Sequence, residues 1–386
     1  MPVETVECPA HRVTEGPFFH YFGYYDKCPW DPAERRLLAL RVAFMHRSQT
    51  PDDMAVIGYY DLQTGRWTPL AETLAWNWQQ GTMLQWLPSG EEIIYNTRGP
   101  QGFGATILNV ETGTARHLPR PIYALAPDGR SAVTLNFARV CRTRPGYGYC
   151  GVQDPWEEDP APAEDGIYWM DLQTGASRRI VDIAAMAARE VEPSMAGAEH
   201  WFNHLQFNTA GTRFLFLHRW KDAGGSFRQT RMYTANPDGS GLYYLGKEGM
   251  VSHFDWRDGG HILAWSRYNG ENHYHLYTDQ SDEVAVVGRD VFDQDGHCSY
   301  SPDRRWILTD TYPSREDSKR TLILYHPETD RRMDIGRYYS PPEVTGEMRC
   351  DLHPRWSRQG TQVCFDSVHE GPRQMYGCDV SAVVQG

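Results

Sequence analysis

Apolar runs of strand length recur along the chain, and the same signal introduces each of them. An aromatic or aliphatic lead residue comes first, a tight-turn cluster follows, and the run comes next. The leads are Trp30, Trp86, Leu125, Phe207, Trp256, Tyr300 and Trp356. Trp86-Leu87-Pro88-Ser89-Gly90 and Leu125-Ala126-Pro127-Asp128-Gly129 show the form most clearly. Each run is followed by another strand that usually ends in a second turn, as in Asp61-Leu62-Gln63-Thr64-Gly65, Asp171-Leu172-Gln173-Thr174-Gly175 and Asn236-Pro237-Asp238-Gly239. Gly, Asp, Asn and Pro supply the dihedrals that tight hairpins need. The unit therefore reads strand, turn, strand, loop, strand, turn, strand. Repeated seven times without long helical patterns between the copies, it predicts an all-β chain folded as a seven-bladed β-propeller.

The predicted blades start near positions 20, 79, 120, 202, 252, 296 and 351 of one propeller domain spanning 1–386. The seventh unit is short, because the chain ends at Gly386 soon after Cys378-Asp379-Val380. The stretch from Glu4 to Val13 precedes the first unit and is expected to supply the outer strand of blade seven. That would close the ring and remove a sheet edge. Longer insertions fall between Asn136 and Ile167 and between Ile180 and Trp201, with a short helix expected over 184–192.

Composition fits this pattern. The 13 Trp, 22 Tyr and 14 Phe favour strands, and the 35 Gly and 25 Pro favour turns. No apolar stretch approaches the ~20 residues of a membrane span. The first residues carry neither a basic nor an apolar leader segment, so cytoplasm is the expected compartment, or periplasm if a leader was trimmed. A formal net charge of −12 argues against nucleic acid but not against a small anionic substrate held in a cleft. The eight cysteines form no tight pair in sequence and are expected to be reduced.

Four successive units carry a histidine three residues before the lead: His204, His253, His297 and His353. The matching positions elsewhere are Lys27, Met83 and Ile122. The first strand of a propeller blade lines the central channel, so the imidazoles should converge on one side of the axis. Asp351 and His353, two apart on a strand, share a face. With His297 on the neighbouring blade they form a candidate set for a divalent metal, Zn or Mn, and Cys350 is a further candidate ligand. Arg219 and Arg231 on blade four are candidate carboxylate clamps. His253 or His204 is the candidate base, and Tyr233, Tyr268 or Tyr312 the candidate proton donor.

The segments Asn203-His204-Leu205-Gln206-Phe207-Asn208, Arg231-Met232-Tyr233, His253-Phe254-Asp255-Trp256, Gly296-His297-Cys298 and His353-Pro354-Arg355-Trp356-Ser357 resemble the oligogalacturonate lyases. They also resemble the wider set of seven-bladed polysaccharide lyases that includes ulvan lyases. The resemblance covers blades four to seven well and the first three in outline; His20 to Lys27 looks like a family-type opening of blade one. It implies β-elimination on a uronate oligosaccharide, with a blade-four Arg (Arg231) and a blade-five His (His253) beside a metal held mainly by His297 and His353. This chain departs from the family at the last site, with Asp351 in place of a second His and Met348 in place of a Gln. A glycoside hydrolase using two of Asp255, Asp310 and Asp366, and a non-catalytic binding propeller, are the rival readings.

Overall fold

The computed structural model describes residues 3–221 and 228–385. Seven antiparallel sheets follow one another in chain order, and each first strand lies next to its second. Blade four is typical, with strands Glu199–Phe207, Phe214–Lys221, Arg228–Ala235 and Tyr243–Gly246. The first strands of the other blades are Phe19–Tyr21, Gln85–Trp86, Ala124–Leu125, Val251–Trp256, Ser299–Tyr300 and Arg355–Trp356. The seven-bladed propeller expected from the repeat is what the chain forms.

The lead residues show why the repeat needs aromatics there. Trp86 Nε1 donates to Pro29 O at 2.9 Å, Trp256 Nε1 to Gln206 O at 3.2 Å, and Trp356 Nε1 to Ser299 O at 3.3 Å. Each acceptor is the residue directly before the lead of the preceding unit. An indole thus fills the space between two blades and ties one inner strand to the next. Apolar clusters at the blade interfaces continue this packing, as in the group joining Leu215, Leu217 and Met232 of blade four to Phe254, Trp256 and Ile262 of blade five. The ring is built from local contacts between neighbours.

Ring closure divides the N-terminus between two blades. His11–Arg12 pairs antiparallel with Gln374–Asp379 as the outer strand of blade seven, as expected. Glu4–Thr5 instead runs parallel to Arg331–Tyr339 and adds a fifth strand to blade six. The strap thus crosses the seam and covers two outer edges.

The first insertion reaches the histidines through Tyr147, and the second is held by Arg231 and Tyr233 of blade four. The first contains a helix the sequence reading missed, Phe137–Thr143, whose N-terminus is capped by the Asn136 side chain. The second contains a helix at Ile183–Ala187 and a short 3-10 turn at Pro193–Met195, a shorter helix than the one expected over 184–192. Among the described residues no helix is long and apolar enough to cross a membrane.

Candidate active site around the histidine ring

The four histidines converge on one place. The ring centroids of His253 and His297 are 4.0 Å apart, and those of His297 and His353 are 4.4 Å apart. His204 closes the group through Tyr24, which stacks on it at 5.2 Å and meets His353 edge-on at 4.9 Å. Tyr25 packs against His253 and His297, and its hydroxyl bonds Phe254 N and Phe254 O, both at 2.9 Å. The blade-one segment 20–27 therefore enters the channel and fixes the imidazoles from inside. Nothing in its local sequence announced that role.

Hydrogen bonds set the tautomers. His297 Nδ1–H donates to Asp310 at 2.8 Å, which leaves Nε2 as a lone pair. His253 Nδ1–H donates to Asp295 at 2.9 Å and leaves its own Nε2 as a lone pair. His204 is the opposite case. Its Nδ1 accepts from Gln80 Nε2 at 3.1 Å, while the Tyr123 hydroxyl is oriented by Gln80 Oε1, so the ring proton sits on Nε2. Burial pushes His204, His253 and His353 below the ordinary histidine value, so all three are neutral near pH 7. This distinguishes the two candidate bases: His253 offers a lone pair and His204 a proton.

His297, Asp351 and His353 can each present a ligand atom within 4.8 Å of the other two, and all three residues are buried. His297 Nε2, His353 Nε2 and Asp351 Oδ1 have no hydrogen-bond partner among the described residues. Arg320 Nη2 lies 2.8 Å from Asp351 Oδ1, but not in hydrogen-bonding geometry. Burial alone would raise the Asp351 carboxyl, yet Arg320 and Arg349 hold it well below the usual range and keep it ionised. Two imidazole nitrogens and one carboxylate oxygen, buried and otherwise unused, suit a first-row divalent ion. The Asp310–His297 bond is the outer support that such ligands normally have.

Cys350 is outside this set. Its side chain points away from Asp351 and packs with Val344, Cys364 and Met375 in an apolar cluster, where burial raises its thiol pKa. Adjacent residues on an extended chain face opposite ways, so Cys350 and Asp351 cannot both face the cluster. Met348 packs against the same apolar cluster.

Blade four separates the two arginines. Arg219 lies opposite Thr230, and Arg231 lies opposite His218, so their side chains leave opposite faces of the sheet. Arg219 faces the ring, with Tyr24, Tyr147, Tyr123 and Arg144 as its charged or phenolic neighbours. Its Nε and Nη1 have no hydrogen-bond partner among the described residues, and burial brings its pKa down to about 9, which leaves it protonated at neutral pH. Arg231 is spent elsewhere. It pairs with Glu192, donates to the carbonyls of Arg189 and Glu190, and stacks on Trp220 at 4.8 Å. Tyr233, on the same face, donates to Glu190 at 3.0 Å. Arg231 and Tyr233 therefore anchor the second insertion and do not reach the histidines.

Of the other candidate donors, Tyr268 packs on His275 and Tyr277 in blade five, whereas Tyr312 lies 6.4 Å from His253 and 6.1 Å from His297. The first insertion delivers a phenol that the sequence reading missed. Tyr147 stands edge-on to His204 at 5.6 Å, and its hydroxyl accepts from Arg349 Nη2 at 2.6 Å. Burial opposes its ionisation, but Arg349 and Arg144 outweigh burial and hold the phenol below its ordinary value. The acidic residues a hydrolase would use are committed: Asp310 to His297, Asp366 to Arg355, and Asp255 to Gln206 and Tyr300 N.

No protein-family model matches the chain, and no curated protein does. Solved structures do. An oligogalacturonate lyase in complex with manganese superposes with a TM-score of 0.70 at 15% identity, covering 98% of this chain and 96% of that one. The oligogalacturonate lyase of Vibrio parahaemolyticus gives 0.68 at 15% identity, with the same coverage. The chain shares its fold with oligogalacturonate lyases. The propeller domain of the trilobed protease from Pyrococcus furiosus follows at 0.53 and 12% identity, covering 94% of this chain and 96% of that one. At such identities the likeness is one of fold.

Proposed function

We propose that the protein is a polysaccharide lyase that cleaves a uronate oligosaccharide by β-elimination. One observation carries this reading. A buried guanidinium with unpartnered donors, a neutral imidazole with a free lone pair, and three unpartnered metal-ligand atoms surround the same two tyrosines.

The chemistry explains why these groups belong together. Elimination removes the proton at C5, next to an anionic carboxylate, and then breaks the C4–O bond. The proton is weakly acidic because the carboxylate resists further charge. Arg219 meets that difficulty by offering Nε and Nη1 to the carboxylate from a buried position, where the charge interaction is strong. His297, Asp351 and His353 would hold a divalent ion, which when bound adds Lewis-acid stabilisation of the developing enediolate. His253 Nε2 takes the C5 proton, with Asp295 stabilising the imidazolium that results. Tyr147, kept acidic by Arg349 and Arg144, donates to the departing O4. The fold shared with two oligogalacturonate lyases supports the same reading.

The test is incubation with oligogalacturonates and other uronate oligosaccharides, following the ultraviolet absorbance of the 4,5-unsaturated product. Wild-type protein should form it and His253→Ala should not. New reducing ends without the chromophore would show hydrolysis and reject the proposal.

A further inference from the structure

The sulfur atoms of Cys141 and Cys150 lie 2.7 Å apart. Both residues are partly exposed, and a surface groove of about 210 Å³ lined by both runs over them, flanked by Arg142, Val152 and Glu157. The frame around the pair is rigid. Cys141 stands in the helix Phe137–Thr143, and the buried Arg139 pins that helix through His200 O at 2.7 Å and Pro160 O at 2.9 Å. The returning chain lies directly on the helix. A Cβ on Gly148 would sit 1.9 Å from Cys141 N, so no other residue fits there. Between the two cysteines the chain carries Tyr147, the phenol beside His204 and Arg349. Asn77 Nδ2 is bonded to Tyr147 O at 3.0 Å.

We infer that Cys141 and Cys150 form a reversible disulfide that staples the Tyr147 loop to its helix. The bond is an oxidative modification site lying outside the reacting groups, and it does not depend on the reaction proposed above. The Cys150 thiol, lowered to about 7 chiefly by the hydrogen bond from Cys141, is the nucleophile. With hydrogen peroxide as oxidant, the Cys150 thiolate attacks one peroxide oxygen. The O–O bond breaks, hydroxide leaves and is protonated to water, and Cys150 becomes a sulfenic acid. The Cys141 sulfur then attacks the Cys150 sulfur. The S–O bond breaks, the S–S bond forms, and the departing hydroxide takes the Cys141 proton as a second water. Two thiols are oxidised, and one hydrogen peroxide is reduced to two waters.

All eight cysteines are free thiols in the structure, as expected, and the proposed oxidation concerns this pair alone. The two lie nine positions apart across an insertion, and only the helix brings them together.

The experiment treats the full chain with hydrogen peroxide, alkylates the remaining thiols under denaturing conditions and digests without reductant. Cleavage after Arg142 separates the two cysteines. A linked peptide pair joining Cys141 to Cys150 is expected, lighter by two hydrogens than its parts and lost on adding dithiothreitol. Amide hydrogens of 144–149 should exchange more slowly in the oxidised protein. Its melting temperature should exceed that of the reduced protein by roughly 2–5 °C, a difference absent in Cys141→Ser and Cys150→Ser. Two fully alkylated thiols after oxidation, or a linkage from either cysteine to another partner, would overturn the inference. So would a disulfide that leaves exchange over 144–149 unchanged, because the bond would then not be the staple.

Discussion

Blades two and seven place nearly the same backbone at the same repeat position and fill it with different chemistry. Met83 and His353 both adopt left-handed dihedrals, with φ of 53° and 42°, and His204 on blade four does the same at 52°. Left-handed backbone costs a non-glycine residue on the order of 1–2 kcal/mol, so it invites a functional explanation. Met83 rules that explanation out, because it sits in the apolar core among Tyr24, Ile122 and Leu87 with no chemistry to perform. The left-handed turn occurs at this repeat position in three of the seven blades, at Met83, His204 and His353, whatever the side chain does. Function enters through the side chain placed there and through the partner given to it.

Histidines outside the ring teach the same lesson. His20 in blade one has both nitrogens partnered, to Gln374 at 3.0 Å and Tyr60 at 3.3 Å. It joins blade one to blade seven. His297 and His353 each keep a buried nitrogen without a hydrogen-bond partner among the described residues. A satisfied imidazole is structural, and an unsatisfied one is costly unless a ligand fills the vacancy.

The largest effect is expected at His253. His253→Ala should lower kcat for the unsaturated product by about 10²–10⁴-fold, while melting close to wild type. An unchanged kcat would move the base elsewhere on the ring. Next is the support behind the metal set. Asp310→Ala should weaken Mn²⁺ or Zn²⁺ binding by about 10–100-fold in a calorimetric titration, because it removes the acceptor that fixes the His297 tautomer. Equal affinity would separate the metal from His297. A third substitution moves chemistry to the other side of the ring. Met83→His should cost roughly 1–3 kcal/mol in denaturant unfolding, since the apolar surroundings offer a buried imidazole no partner, and metal content should not change.

The smallest and most general effect is on acid stability. Burial holds His20 and His200 down at about 4. The unfolded chain protonates both near 6.5, so it binds more protons than the folded chain between those values. Stability from these residues is complete above pH 6.5 and is lost as pH falls toward about 4. The melting temperature should drop by a few degrees across that window, and by less in His20→Gln. A flat profile would mean that neither imidazole is held neutral by the fold.

The propeller and the histidine address were legible because both repeat. One lead residue, one turn and one position before it recur along the chain, and the indole bonds between neighbouring blades give that recurrence its physical reason. Arg219 and Arg231 were not separable by reading, because they flank a hairpin. A register slip of one residue there would bring both to the same face. The same parity problem concealed that Cys350 turns into the core while Asp351 turns to the ring. Tyr24, Tyr25 and Tyr147 escaped for a different reason. They reach the site from the blade-one opening and from an insertion, far along the chain from the histidines they touch, and no local periodicity encodes such contacts.

The two faces of blade four give the most direct test. Initial rates of unsaturated-product formation from an oligogalacturonate should be measured for Arg219→Ala and Arg231→Ala together with wild type. Loss of Arg219 should cost about 10²–10³-fold in kcat with the melting temperature nearly preserved. Loss of Arg231 should lower the melting temperature, with a far smaller change in kcat. The reverse pattern, with Arg231 essential to turnover and Arg219 dispensable, would place the reaction on the other face of the sheet and contradict the site described above.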